Sequence, residues 1–253
     1  MAEHRYKAVV IDLFDTLVNW DPDGLPVMHW KGRDMHTTLP WILPKVAEAL
    51  GAKFDQDAFM TAYAAVYEEI NTERERDGIE ITCFERFERT LHRIGVANPI
   101  QLKHLSEELT RIHMRGVRQV TSAPAARKEA VRRLAEKYRL GLLSNFDDSQ
   151  TGWEIMEDTG VKDKFEAIII SADLKLRKPN PKIFARMLAM LDLAARDVLF
   201  VGDTPHHDVG GAKAVGMAAA WISRHALPLP EGVAQPDYVI RDLAELPDLL
   251  ENS

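Results

Sequence analysis

Six short apolar runs punctuate this chain: AVVIDL at 8–13, LGLLS at 140–144, EAIIIS at 166–171, DVLFVGD at 197–203, MAAAWIS at 217–223 and DYVIRD at 237–242. Runs this brief and unbroken suit strands covered on both faces, as in a parallel sheet, because a half-exposed strand would alternate apolar with polar. Helical patterns separate them: AARKEAVRRLAEKY (125–138), SQTGWEIMEDTG (149–160), NPKIFARMLAMLD (180–192) and HHDVGGAKAVG (206–216). The third opens with Asn180 as N-cap and Pro181 at the first helical position, and Phe184, Leu188 and Leu191 form its apolar stripe. Strand alternating with helix predicts a doubly wound α/β fold with a parallel sheet. Ligands of such sheets bind at the carboxyl ends of the strands.

One region breaks the alternation. From Asn19 to about Val120 the pattern predicts helices and no strand. DQDAFMTAYAAVYEEI (55–70) puts Phe59, Tyr63, Val66, Tyr67 and Ile70 on one face. TCFERFERTLHRIG (82–95) has Thr82 and Glu85 spaced as a capping box, apolar Phe84, Phe87, Leu91 and Ile94, and Gly95 at its end. NPIQLKHLSEELTRIHMRG (98–116) repeats the period with Leu102, Leu105, Leu109 and Ile112. These stripes are read as helix-on-helix packing. The expected organisation is an α/β core from 1–18 and 121–253 with an all-helical domain inserted at 19–120. The stretch NWDPDGLPVMHWKGRDMHTTLPW (19–41) mixes Trp20, Trp30 and Trp41 with His29, Lys31, Arg33 and His36. It reads either as an irregular flap packed over its tryptophans or as a grip for an anionic organic group.

Composition narrows the partners. The 39 acidic and 32 basic side chains leave a formal charge of −7. Such a surface repels nucleic acid and anionic membranes, so a bound anion must meet a local positive site. A single cysteine, Cys83, rules out an internal disulfide and reads as a small buried residue. The opening MAEHRYKAVV has no long apolar core of a signal peptide, and no stretch approaches membrane-spanning length. A soluble, cytoplasmic protein without nucleic-acid or membrane partners is the expectation.

Polar residues gather at the strand ends. Asp12 and Thr16 follow the first run, Ser144 and Asn145 the second, Lys178 the third, and Gly202, Asp203 and Asp208 the fourth. Singly, each is an ordinary turn or cap residue. Together, on neighbouring strands, the carboxylates of Asp12 and Asp203, the Ser144 hydroxyl and the Lys178 ammonium would converge at one rim. Asp12 and Asp203 belong together only with a divalent cation between them, and hard oxygen ligands point to Mg²⁺ with substrate phosphate oxygens. Ser144 and Lys178 would hold the remaining phosphate oxygens, and Asp12 would be placed to attack phosphorus.

These residues resemble the motifs of the haloacid dehalogenase-like hydrolase superfamily, most of whose members are phosphatases. IDLFDTLV (11–18) is similar to the first motif, LLSNFD (142–147) to the second, LRKPNPKIF (176–184) to the third and VGDTPHHDVGGAKAVGM (201–217) to the fourth. The resemblance implies that Asp12 is the nucleophile, that Thr16 positions it, and that Thr16, Ser144 and Asn145 bind phosphate. It implies that Lys178 neutralises the nucleophile and the transferring group. Asp12, the backbone carbonyl of Phe14 and Asp203 would ligate Mg²⁺, with Asp208 supporting them. The substrate would be a small phosphorylated molecule, and the insert a helical cap that closes over it.

Position 14 departs from the pattern. Phosphatases of the superfamily usually carry a second Asp two residues after the nucleophile, which protonates the leaving oxygen; here it is Phe14. Asp15 sits in the following turn slot, with its side chain expected to point elsewhere. Loss of a general acid typically costs ~10²–10⁴ in rate. The metal-independent 2-haloacid dehalogenases also carry an aromatic at this position, but they lack the carboxylate matching Asp203. Their cap arginine lies further from the nucleophile than Arg33 does from Asp12. The reading is therefore a Mg²⁺-dependent phosphatase, with a dehalogenase or a catalytically weak phospho-ligand-binding member as alternatives. His206 and His207, within the fourth motif and beside the metal loop, are candidate substitute acids.

Overall fold

The computed structural model describes residues 5–224 and 228–252. The first four residues of MAEHRYKAVV lie outside them. The chain divides into two compact units, one of Met1–Trp20 with Ser122–Ser253, the other Asp21–Thr121.

In the first unit the expected runs form strands β1 (Ala8–Ile11), β2 (Arg139–Ser144), β3 (Ala167–Ile170), β4 (Val198–Gly202), β5 (Ala218–Ile222) and β6 (Tyr238–Ile240). Among the described residues they make a six-stranded parallel sheet in the order β6-β5-β4-β1-β2-β3. All four residues of β1 are fully buried, as the unbroken apolar run requires. Alternate side chains enter opposite layers. Val9 and Ile11 pack with Val131 and Leu134 of helix Ala125–Ala135 and with Ile155 and Met156 of helix Ser149–Thr159. Ala8 and Val10 pack with Ile183, Phe184 and Met187 of helix Pro181–Leu191. Each large apolar side chain so buried contributes roughly 1.5–3 kcal/mol. The last helix starts as expected, with the Lys182 N–H donating to Asn180 Oδ1 at 3.0 Å.

The topology fixes where a ligand can sit. The chain runs outward from β1 through β2 to β3, then crosses back to β4 on the other side of β1. The switch point lies between β1 and β4, and the crevice beyond their carboxyl ends is the natural binding position. The helix expected at 206–216 is instead a π-helical turn, Pro205–Gly210, followed by a short α-helix, Gly211–Ala214. The Asp208 N–H donates to Thr204 O at 2.8 Å, and Asp208 Oδ2 accepts from the Thr204 N–H at 2.9 Å. These bonds fold Asp208 back onto the end of β4.

The second unit contains helices Leu39–Leu50, Gln56–Asp77, Cys83–Arg93 and Pro99–Gln119. Thr82 and Glu85 make the expected capping box, and Phe59, Val66, Ile70, Phe87, Leu91, Leu105 and Leu109 are buried. Cys83 is buried and outside any disulfide, and its Sγ accepts from Arg86 Nη2 at 3.1 Å. Two expectations are corrected. Tyr67 is 42% exposed, so it does not belong to the apolar stripe. The insert is also not all-helical: Val27–Trp30 and Arg33–His36 form an antiparallel hairpin. Its two-residue turn, Lys31 and Gly32, has φ of 49° and 77°. A turn with both φ positive matches the right-handed twist of the strands and normally announces itself as Asn-Gly. Lysine in the first position hides that signal. Among the described residues no helix is long and apolar enough to cross a membrane.

Candidate active site

Strand register brings the predicted residues together. Ile11 of β1 pairs with Leu142 of β2 and Val201 of β4. The Asp12 N–H continues the ladder to Val201 O at 2.9 Å, which sets Asp12 level with Gly202 and beside Asp203. A cavity of about 220 Å³ opens at this rim. Asp12, Phe14, Asn145, Lys178, Asp203 and Asp208 line it, together with Asp15, Arg177, Thr204 and His207.

Lys178 is the hub. It is only 2% exposed, and its Nζ lies 2.6 Å from Asp12 Oδ1 and 2.7 Å from Asp208 Oδ1. Burial alone would depress its pKa, but the carboxylates of Asp12 and Asp208 outweigh that and hold it above the ordinary lysine value. Gly202 makes room for this arrangement. A Cβ there would come within 2.7 Å of Asp208 Cβ and would overlap the Asp208 carboxylate. Trp221 Nε1 donates to Asp203 O at 3.0 Å and steadies the loop beyond β4.

Negative charge exceeds positive in the lining: Asp12, Asp15, Asp203 and Asp208 face Arg177 and Lys178. Burial, and next the Asp208 and Asp203 charges acting against Lys178, push Asp12 up to about 7. Burial and the Asp208 and Asp15 carboxylates push Asp203 up to about 6. Asp12, Asp203 and Asp208 each offer an oxygen, and these oxygens all lie within 4.8 Å of one another. An all-carboxylate, hard-oxygen set in excess of its neutralising cations fits a divalent cation such as Mg²⁺.

Thr16 and Ser144 stand behind this rim. Both are fully buried, and neither Oγ1 of Thr16 nor Oγ of Ser144 has a hydrogen-bond partner. Thr16 thus makes no hydrogen bond to Asp12 in this arrangement. Asn145 lines the cavity, yet its carboxamide is turned onto Lys178: Nδ2 donates to Lys178 O at 2.9 Å, and Oδ1 accepts from Lys178 N–H at 2.7 Å.

Phe14 is seated in an aromatic group. Its ring centroid lies 4.8 Å from that of Phe146 and 6.1 Å from that of Trp20, the latter edge-on. Asp15 also lines the cavity, with its carboxylate turned onto Arg224. Its φ of 54° is left-handed, and its Oδ1 lies 3.0 Å from Arg224 Nη1. His207 lines the cavity, whereas His206 is exposed and does not. Arg33 is exposed on the hairpin of the second unit, paired across the strands with Trp30. Sequence reasoning passed over Arg177 and Thr204 as cavity residues. Their adjacency to Lys178 and Asp203 was the available signal.

Known proteins agree with this architecture. By sequence, the chain is 32% identical over 136 residues to the glyceraldehyde 3-phosphate phosphatase of Pyrococcus abyssi, covering 54% of this chain and 56% of that protein. The chain thus spans about half the length of the relatives it matches this way. By structure, it is similar to a 2-haloacid dehalogenase from Pseudomonas syringae, with a TM-score of 0.72, 22% identity, and 98% and 99% of the two chains covered. It is also similar to an HAD phosphatase from Thermococcus onnurineus, with a TM-score of 0.62, 24% identity, and 96% and 97% covered. Both structural likenesses concern the fold. The profile of haloacid dehalogenase-like hydrolases matches residues 6–216. The chain therefore belongs to the haloacid dehalogenase-like hydrolase family.

Proposed function

We propose that this protein is a Mg²⁺-dependent phosphohydrolase that works through an aspartyl-phosphate on Asp12 and protonates its leaving group poorly. The observation that carries the reading is the Asp203 carboxylate beside Asp12 and Lys178, in a cavity with more negative than positive lining. Asp12, the Phe14 carbonyl and Asp203 would hold the ion, with Asp208 behind them. The bound cation supplies charge neutralisation for the carboxylates and for phosphate oxygens.

The chain's own groups then divide the work. An Asp12 oxygen attacks phosphorus as the bond to the leaving oxygen breaks, and Lys178 offsets the charge gathering on the transferred group. Water later displaces Asp12 from phosphorus and releases phosphate. The buried hydroxyls of Thr16 and Ser144 lack protein partners and do not line the cavity, so they would reach phosphate oxygens only after the rim shifts. At position 14, where an acid would act, stands an aromatic ring held by Phe146. Substrates with stable leaving groups, such as aryl or acyl phosphates of small organic molecules, suit such a site; alkyl esters do not.

Phe14 also favours a second reading, metal-independent dehalogenation, in which a halide leaves without a proton. Asp203 opposes it, since that chemistry has no use for a second carboxylate beside the nucleophile. The test is p-nitrophenyl phosphate with Mg²⁺ or with a chelator, beside 2-chloropropionate with halide detection. Mg²⁺-dependent phosphate release that Asp12→Asn abolishes supports the phosphohydrolase. Metal-independent halide release replaces it with the dehalogenase, and neither signal points to a ligand-binding member without turnover.

A further inference from the structure

We propose that Asn145 is a positioning residue that aims Lys178, in place of the phosphate ligand its sequence position suggests; the inference rests on the phosphohydrolase reading, in which Lys178 serves the transferring group. Both ends of the Asn145 carboxamide close on one residue. Oδ1 accepts from the Lys178 N–H at 2.7 Å and Nδ2 donates to Lys178 O at 2.9 Å. The carboxamide is the small side-chain group that offers a donor and an acceptor in one plane, so it can pair with a backbone N–H and C=O as a neighbouring strand would. Asparagine at 145 directly follows Ser144, the last residue of β2. The pairing therefore ties the loop carrying Lys178 to the end of a central strand.

Pro179 has no N–H to give, and the next backbone bond is Asn180 N–H to Arg177 O at 2.9 Å. Above the anchored backbone, the lysine stem has four rotatable bonds, and its ammonium must fall between Asp12 Oδ1 and Asp208 Oδ1, 2.6 and 2.7 Å away. Where the backbone of residue 178 sits decides whether the ammonium reaches both. With its oxygen and one amide hydrogen committed to Lys178, Asn145 retains a single amide hydrogen toward the cavity.

The experiment compares Asn145→Ala and the nearly isosteric Asn145→Asp, which keeps an acceptor and loses the donor, in the wild-type and Lys178→Met backgrounds. Thermal melting confirms folding of each. The expected result for p-nitrophenyl phosphate is a kcat loss of up to about 10²-fold, the scale of a small misplacement of a reacting group. KM and the inhibition constant of inorganic phosphate should stay within about twofold, and the Asn145 change should cost nothing further once Lys178 is Met. A weakened phosphate inhibition constant at unchanged kcat would overturn the proposal and restore the phosphate-ligand role. Full additivity with Lys178→Met would overturn it too.

A second arm does not depend on turnover. Acylation with acetic anhydride, read by peptide mass spectrometry, should spare Lys178 in the wild type and modify it at least about tenfold faster in folded Asn145→Ala, because the clamped side chain is buried between Asp12 and Asp208, out of reach of the reagent. Equal labelling in the two proteins contradicts the clamp. Absence of phosphatase activity in the wild type would defeat the phosphohydrolase reading alone, and the labelling arm would still decide the clamp.

Discussion

The Phe14 ring packs against the Phe146 ring at 4.8 Å between centroids, so the position where an acid is expected is a built aromatic contact. Phe146 comes from the loop after β2 and Phe14 from the loop after β1. The substitution is thus integrated into packing between two of the loops that form the site.

Phe14→Asp should raise turnover of alkyl phosphates, toward the ~10²–10⁴ worth of a general acid, with a smaller effect on p-nitrophenyl phosphate. The same change places a polar group beside Phe146 and Trp20 and should lower stability by about 1–3 kcal/mol. Steady-state kinetics on both ester types and a denaturant titration check the two halves. A folded variant with no gain on alkyl esters contradicts the missing-acid account.

In the wild type, kcat/KM should fall steeply as the leaving-group pKa rises across a series of substituted phenyl phosphates. A flat series means another group donates the proton, and His207, which lines the cavity, is the first to replace. His207→Gln is expected to leave the slope unchanged.

Gly202→Ala should be disproportionately damaging for the gain of one methyl group. The new Cβ would overlap the Asp208 carboxylate and break its bond to the Thr204 N–H. Overpacking of this kind costs about 1–3 kcal/mol, and activity should fall further than stability because Lys178 loses one of its two carboxylates. Melting and kinetics on the same preparation show whether the two losses separate.

Much of this was legible in the sequence, for physical reasons. Short unbroken apolar runs alternating with helical patterns fit a sheet covered on both faces, and the residues following them then share a rim. The hairpin at Val27–His36 was not legible because its turn uses Lys31 where Asn would signal the left-handed backbone. The π-helical turn at Pro205–Gly210, with the Asp208 carboxylate bonded back to the Thr204 N–H, was not legible because periodicity does not encode such a contact. Asn145 was legible as a site residue, but its target was not. Which group a carboxamide pairs with depends on the loop that folds beside it.

The acidity of the rim gives a pH test. Asp12 near 7 and Asp203 near 6 both lie above the ordinary 3.8, so without a cation the folded state holds protons that the unfolded state has released. Their contribution to stability is fully present below about pH 4 and is lost as pH rises through these folded values. A cation needs the ionised carboxylates, so it binds best where that loss is complete. Mg²⁺ at a hundredfold excess over its Kd should stabilise the protein by about 2.7 kcal/mol at pH 8 and by far less at pH 5. Thermal melting with and without Mg²⁺ at the two pH values reads the difference, and equal shifts contradict it.

Cation binding between Asp12 and Asp203 is the claim on which the rest depends, and calorimetric titration of MgCl₂ at pH 8 into the wild type and Asp203→Asn tests it most directly. The account predicts one ion per chain in the wild type and affinity weakened at least about tenfold in the variant. Equal affinities in the two proteins, or no binding heat in folded wild type, would contradict it.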